Sequence, residues 1–152
     1  MDLHLRPALP GDAAVITEFN ALMAEETEGL ALDRVRLRAG VDAVFADPNR
    51  GVYYVALDGT TIIGQLMITY EWSDWRNGAF WWIQSVYTRK DYRGKGVFRS
   101  LYRSVEQLAR TRADVCGLRL YVEDHNTRAQ QTYAALGMRQ SKYRMMEVDF
   151  VL

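Results

Sequence analysis

The sequence predicts an α/β (α+β) domain: a mixed, mostly antiparallel central sheet of six to seven strands carrying about four helices. Three observations predict it. Two helical patterns come early, three β-prone runs follow in succession, and two strand, loop and helix steps come after them. With 152 residues, 49% of them hydrophobic, the chain has the size of one domain, 1–152, around one core.

The elements follow in order. Leu3-His4-Leu5 alternates apolar and polar as a short strand, and Pro10-Gly11-Asp12 offers a turn and a helix cap. Val15, Ile16, Phe19, Leu22 and Met23 then recur at helical spacing until Glu25 to Gly29, an expected acidic loop. Asp33 can cap a second helix through Val35, Leu37, Val41, Val44 and Phe45, which stops at Asp47-Pro48-Asn49. Val52 to Leu57 and Thr61 to Ile68 flank Asp58-Gly59, the signature of a hairpin with a type I′ turn. After an expected aromatic loop, Tyr70 to Asn77, the run Phe80 to Tyr87 has the composition of a central strand. Asp91 to Gly96 opens an amphipathic helix with Val97, Leu101, Val105, Leu108 and Ala109 inside. Leu118 to Val122 reads as a strand, and Asn126 caps a helix over 127–136 that Gly137 ends. Lys142 to Val151 has mixed β propensity, which predicts a last antiparallel strand.

Composition excludes several classes of function. The 19 basic and 19 acidic residues cancel, against the basic excess of nucleic-acid and membrane-surface binders. No apolar run approaches the roughly 20 residues that a membrane helix needs. Cys116 is alone, so it forms no internal disulfide, and MDLHLRP lacks the order of a secretory signal; a cytoplasmic protein is expected. Two histidines and one cysteine show no metal-ligand spacing, so no metal is expected.

The glycine loop carries the first chemistry. Glycines two apart that leave a strand and open a helix can aim several backbone N–H groups at one anion, beside the positive end of the helix dipole. Arg93 and Lys95 add mobile charge. A Walker loop and a dinucleotide fingerprint both fail here, the latter because Arg99 stands where its third glycine belongs.

Two blocks then resemble the GNAT superfamily of acetyl-CoA-dependent N-acetyltransferases. Ser85 to Val97 is similar to that family's Gln/Arg-x-x-Gly-x-Gly/Ala motif, with Asp91 in the Gln/Arg position, which removes one side-chain contact. Leu120-Tyr121-Val122, Asp124 to Tyr133 and Leu136-Gly137-Met138 resemble its second block. The resemblance implies a GNAT-type sheet with splayed central strands and acetyl-CoA as cofactor, released as coenzyme A. It further implies that Val86, Tyr87 and Thr88 line the pantetheine arm, that Arg93, Gly94, Lys95, Gly96, Val97 and Phe98 hold the pyrophosphate, that Asn126 contacts the pantetheine side and that Tyr133 sits near the sulfur.

Amide formation needs a neutral amine, although a lysine-like amine has a pKa of about 10.4, so a base is required. Gln84 and Ser85 stand where family members often carry a glutamate, so a water relay through Gln84, or Glu71, Asp74 or Glu123, are the candidates. Tyr133 is the candidate acid, with His125 the weaker alternative. On the acceptor side Glu26, Glu28, Trp72, Asp74 and Trp75 combine acid and aromatic groups that suit an ammonium, although acidic loops are usually solvated and Trp72 to Trp82 also suit a core or a dimer interface. The expected reaction is acetyl transfer to a small cationic amine by direct attack in a ternary complex, with a homodimer as the expected assembly. A peptide or protein N-acetyltransferase and a non-catalytic acyl-CoA sensor are the alternatives.

Overall fold

The structure is a computed structural model that describes residues 1–152. The chain divides into two compact units, Met1–Tyr121 and Val122–Leu152. The first holds one sheet of five strands in the order β1-β2-β3-β4-β5: β1 Leu3–Pro7, β2 Val52–Asp58, β3 Thr61–Ser73, β4 Gly78–Thr88 and β5 Val115–Leu120. Neighbours pair antiparallel except β4 and β5, which are parallel. A parallel pair needs a crossover connection, and here it is α3, Val97–Arg110.

Helix α1, Ala13–Glu28, and α2, Arg34–Ala46, pack on one side, where Ile16 and Val41 meet Tyr53, Val55 and Leu57 of β2. Asp33 caps α2 through the Arg36 N–H at 2.9 Å. Alternation fixes which residues meet these helices: Gln65 of β3 bonds Asn20 of α1, so Met67, Thr69 and Glu71 share its face. Helix α3 buries Val97, Leu101, Tyr102, Val105 and Ala109. Val97, Leu101 and Val105, each fully buried, stabilise the fold by about 1.5–3 kcal/mol apiece. At Gly64 an added Cβ would stand 2.8 Å from Cγ1 of Val97, so the missing side chain lets the start of α3 lie close against β3.

The second unit contains α4, Thr127–Ala135, capped by Asn126, whose Oδ1 accepts from the Ala129 N–H at 3.1 Å. Gly137 follows at φ 95°.

Four expectations are corrected. The sheet has five strands, not six to seven, because Lys142 to Val151 forms no strand; β propensity becomes a strand only where ladder bonds are made. Tyr70 to Ser73 belongs to β3, since pairing runs on to Ser73 opposite Gly78. Glu25 to Glu28 is the last turn of α1 and not a loop, ended by Gly29 at φ 61°. The hairpin turn is centred on Gly59 and Thr60, with only Gly59 at positive φ, the pattern of a type II′ turn and not type I′.

Candidate functional site

The last pair between β4 and β5 is Ile83 with Leu120, whereas β4 continues to Thr88 and stays paired with β3 through Tyr87 and Thr88. Beyond Ile83, therefore, one edge of Gln84 to Thr88 makes no ladder bonds to β5. The pairing with β3 is irregular in the same stretch. Gln65 faces Tyr87 and Met67 faces Gln84, so Ser85 and Val86 together oppose Leu66. That bulge puts Ser85 at φ 52°, a left-handed conformation that a side chain makes costly.

The glycine loop follows at once. Gly94 and Gly96 have φ of 76° and 81°, and a Cβ built on either would meet nothing within 4 Å. Open space thus lies over backbone that opens directly into α3, whose first-turn N–H groups lack acceptors within the helix. Lys95 Nζ stands 5.0 Å from the Tyr92 ring centroid. The Tyr92 hydroxyl donates to Oδ2 of Asp58 at 2.9 Å, which ties the loop to β2. Asp91 is held by Arg89 at 2.8 Å, so its charge is balanced locally.

Arg93 turns away from the glycines. Its Nε donates to the Thr88 carbonyl at 2.9 Å and its Nη2 to Oε2 of Glu26 at 2.7 Å. Lys90 is 3.4 Å from the other Glu26 oxygen. Burial pushes the Glu26 carboxyl up, but Arg93 and Lys90 outweigh it and hold the group below its usual range. Glu26, Phe19, Leu22, Ile62, Tyr87 and Lys90 line a groove of about 670 Å³ beside the loop.

Further along the same face of β3 and β4, Gln84 donates to Oγ1 of Thr69 at 2.5 Å. Oε1 of Glu71 accepts from Arg119 Nη1 at 2.6 Å and from Trp82 Nε1 at 3.1 Å. The Trp82 ring lies 4.5 Å from Tyr121, and the Arg119 guanidinium 3.6 Å from the Phe80 centroid. Gln84 and Glu71 do not touch: Gln84 pairs with Met67, four residues from Glu71, about 13 Å along the strand.

The expected acceptor residues are not brought together. Glu26 is committed to Arg93 and Lys90, and Glu28 is exposed at the end of α1. Asp74 and Trp75 sit in the turn between β3 and β4, nine residues beyond Gln65, or roughly 30 Å along β3. Trp72 points to the opposite face from Glu71, because neighbouring strand residues alternate. In the second unit, Asn126 and Tyr133 are seven apart on α4 and its cap, two turns along one face. Burial pushes the Tyr133 hydroxyl above its usual pKa, which keeps it protonated at neutral pH.

Sequence reasoning missed Arg119, Gln65 and Asn20. Gln65 had a signal, a lone amide inside the apolar run from Ile62 to Ile68. Arg119 between two leucines had a weaker one.

The unpaired edge of β4 and the open glycine loop together fit a long, polar ligand with an anionic group at one end. The sequence pattern of the acetyltransferase (GNAT) family matches residues 18–138. Over 80 residues the chain is 31% identical to a thialysine N-epsilon-acetyltransferase of Bos taurus, covering 52% of this chain and 45% of that protein. The chain thus spans about half the length of that curated relative. A possible acetyltransferase from Clostridium difficile 630 superposes with a TM-score of 0.92 at 41% identity, over 100% of both chains. A predicted acetyltransferase from Clostridium acetobutylicum, determined with acetyl-CoA, shares the fold at TM-score 0.78 and 17% identity, over 98% of this chain and 97% of that one.

Proposed function

The chain belongs to the GNAT acetyltransferase family, and from that premise we propose that it transfers the acetyl group of acetyl-CoA to the primary amine of a small cationic molecule. The observation that carries the site assignment is the end of β4 and β5 pairing at Ile83, directly before the glycine loop. Backbone groups of Val86, Tyr87 and Thr88 take the amides of the pantetheine arm, since a bare strand edge offers unused donors and acceptors. The backbone from Arg93 to Phe98 takes the pyrophosphate at the start of α3. Lys95 adds charge there, while Arg93 braces the loop through Glu26 and Thr88.

Acetyl-CoA supplies a thioester acyl group and leaves as a thiol. The amine nitrogen attacks the acyl carbon, a C–N bond forms and the C–S bond breaks. The proton of the incoming ammonium leaves to water at the Gln84 amide and the Thr69 hydroxyl. Tyr133, kept protonated by burial, donates to the departing sulfur. A thialysine acetyltransferase among the relatives agrees with an amine acceptor of this class.

A screen of amines for release of free coenzyme A thiol tests the reading. Turnover with diamines or lysine-like amines, abolished when the amine is replaced by an alcohol, is expected. Turnover confined to peptide N-termini would replace the small-amine acceptor with a polypeptide.

A further inference from the structure

Gln65 is 0% exposed, an amide at the centre of a sheet whose other buried positions are almost all apolar. Its Nε2 donates twice, to Oδ1 of Asn20 at 2.8 Å and to the Ser85 carbonyl at 3.1 Å, while its Oε1 is buried with no partner. Asn20 is itself buried, 6% exposed. A buried acceptor left unpaired costs about 1–3 kcal/mol, which a leucine at this position would avoid. The two donor bonds are therefore the feature that distinguishes glutamine from leucine here.

We infer that Gln65, braced by Asn20, is a positioning residue that locks the β4 bulge and thereby aims the acetyl-CoA edge of the strand. This rests on the proposed acetyl-CoA site. A left-handed Ser85 needs an outside constraint, and the bond from Gln65 to its carbonyl is one. In a trans peptide the C=O and the following N–H point opposite ways. With the Ser85 carbonyl turned toward Gln65, the Val86 N–H is directed away from it. Without that bond, β4 is free to relax toward an extended backbone at Ser85, which rotates the same peptide and withdraws the donor.

The test compares two ligands on the full chain. Acetyl-CoA spans both the strand edge and the glycine loop, whereas adenosine 3′,5′-bisphosphate has no pantetheine arm. Gln65→Leu keeps the volume and removes both donors. It is expected to weaken acetyl-CoA binding about tenfold, the size of one net hydrogen bond, and to leave adenosine 3′,5′-bisphosphate within twofold with Tm unchanged or raised. Adding Ser85→Gly, for which left-handed backbone carries no strain, is expected to recover part of the lost affinity. If Gln65→Leu fails to fold, Gln65→Met reads the same difference. Unchanged acetyl-CoA affinity, equal weakening of both ligands with a lowered Tm, or no recovery on adding Ser85→Gly would each overturn the inference. Full acetyl-CoA binding by Gly94→Glu would instead overturn the site on which it rests.

Discussion

The two halves of β4 differ in what their backbone does. From Ala79 to Ile83 the strand is paired on both sides, and Phe80, Trp81 and Ile83 are buried. From Gln84 to Thr88 it is paired on one side only, carries a bulge with a left-handed serine, and leads into a loop with two left-handed glycines. The first half satisfies its own hydrogen bonds and supplies core. The second has no ladder partner beyond Ile83 on the β5 side and stores strain, which a fold keeps only when something else uses the geometry. One strand thus holds a structural half and a binding half, and the boundary falls between Ile83 and Gln84.

Each half can be attacked separately. The largest effect is expected outside β4, at the acid: Tyr133→Phe keeps the ring and removes the hydroxyl, so single-turnover rates should fall about 10²–10⁴-fold with acetyl-CoA affinity little changed. A wild-type rate would assign the proton to water or to His125. In the structural half, Ile83→Ala should cost about 2–5 kcal/mol by denaturant titration and leave the acetyl-CoA Kd within about twofold. A comparable loss of affinity would erase the division between the halves. For the binding half, Gly94→Glu brings a side chain and a negative charge into the space over the loop. The thermal stabilisation by acetyl-CoA, equivalent to about 2.7 kcal/mol at a hundredfold excess over Kd, should vanish in a variant that is otherwise as stable.

The smallest effect belongs to neither half. The Asp12 carboxyl is held below its ordinary value chiefly by its hydrogen bond from Arg6, at 2.7 Å, with the Leu9 N–H adding to it. A carboxylate with a lowered folded pKa stabilises the fold above its unfolded pKa of about 3.9 and loses that stabilisation as pH falls through the folded value. Wild type should therefore lose more Tm than Asp12→Asn between pH 5 and pH 3, both figures being on the order of those pKa values. Parallel melting curves would remove Asp12 from the acid limb.

Much of this fold was legible because periodicity is local. The 3.6-residue pattern in Val15 to Met23 and the β-branched and aromatic run Phe80 to Tyr87 state their elements without long-range help. Tyr70 to Ser73 was misread because its strand identity rests on pairing with Gly78 to Trp81 and not on its own polar and aromatic composition. The glycine loop was legible, since Gly94 and Gly96 announce positive φ. Ser85 was not, because serine has no preference for it, and the residue bonded to its carbonyl lies 20 positions away. The same holds for Glu71 and Arg119, 48 positions apart, and for Gln65 and Asn20, 45 apart. Side-chain roles that depend on such pairs become visible only when the strands are laid side by side.

Backbone amide NMR of the full chain, recorded with and without acetyl-CoA, tests the division of β4 most directly. The N–H groups of Val86 to Thr88 and of Gly94 to Phe98 should shift and gain protection from exchange, while those of Ala79 to Ile83 stay as they were. Changes spread evenly along β4, or confined to residues outside both segments, would contradict the account.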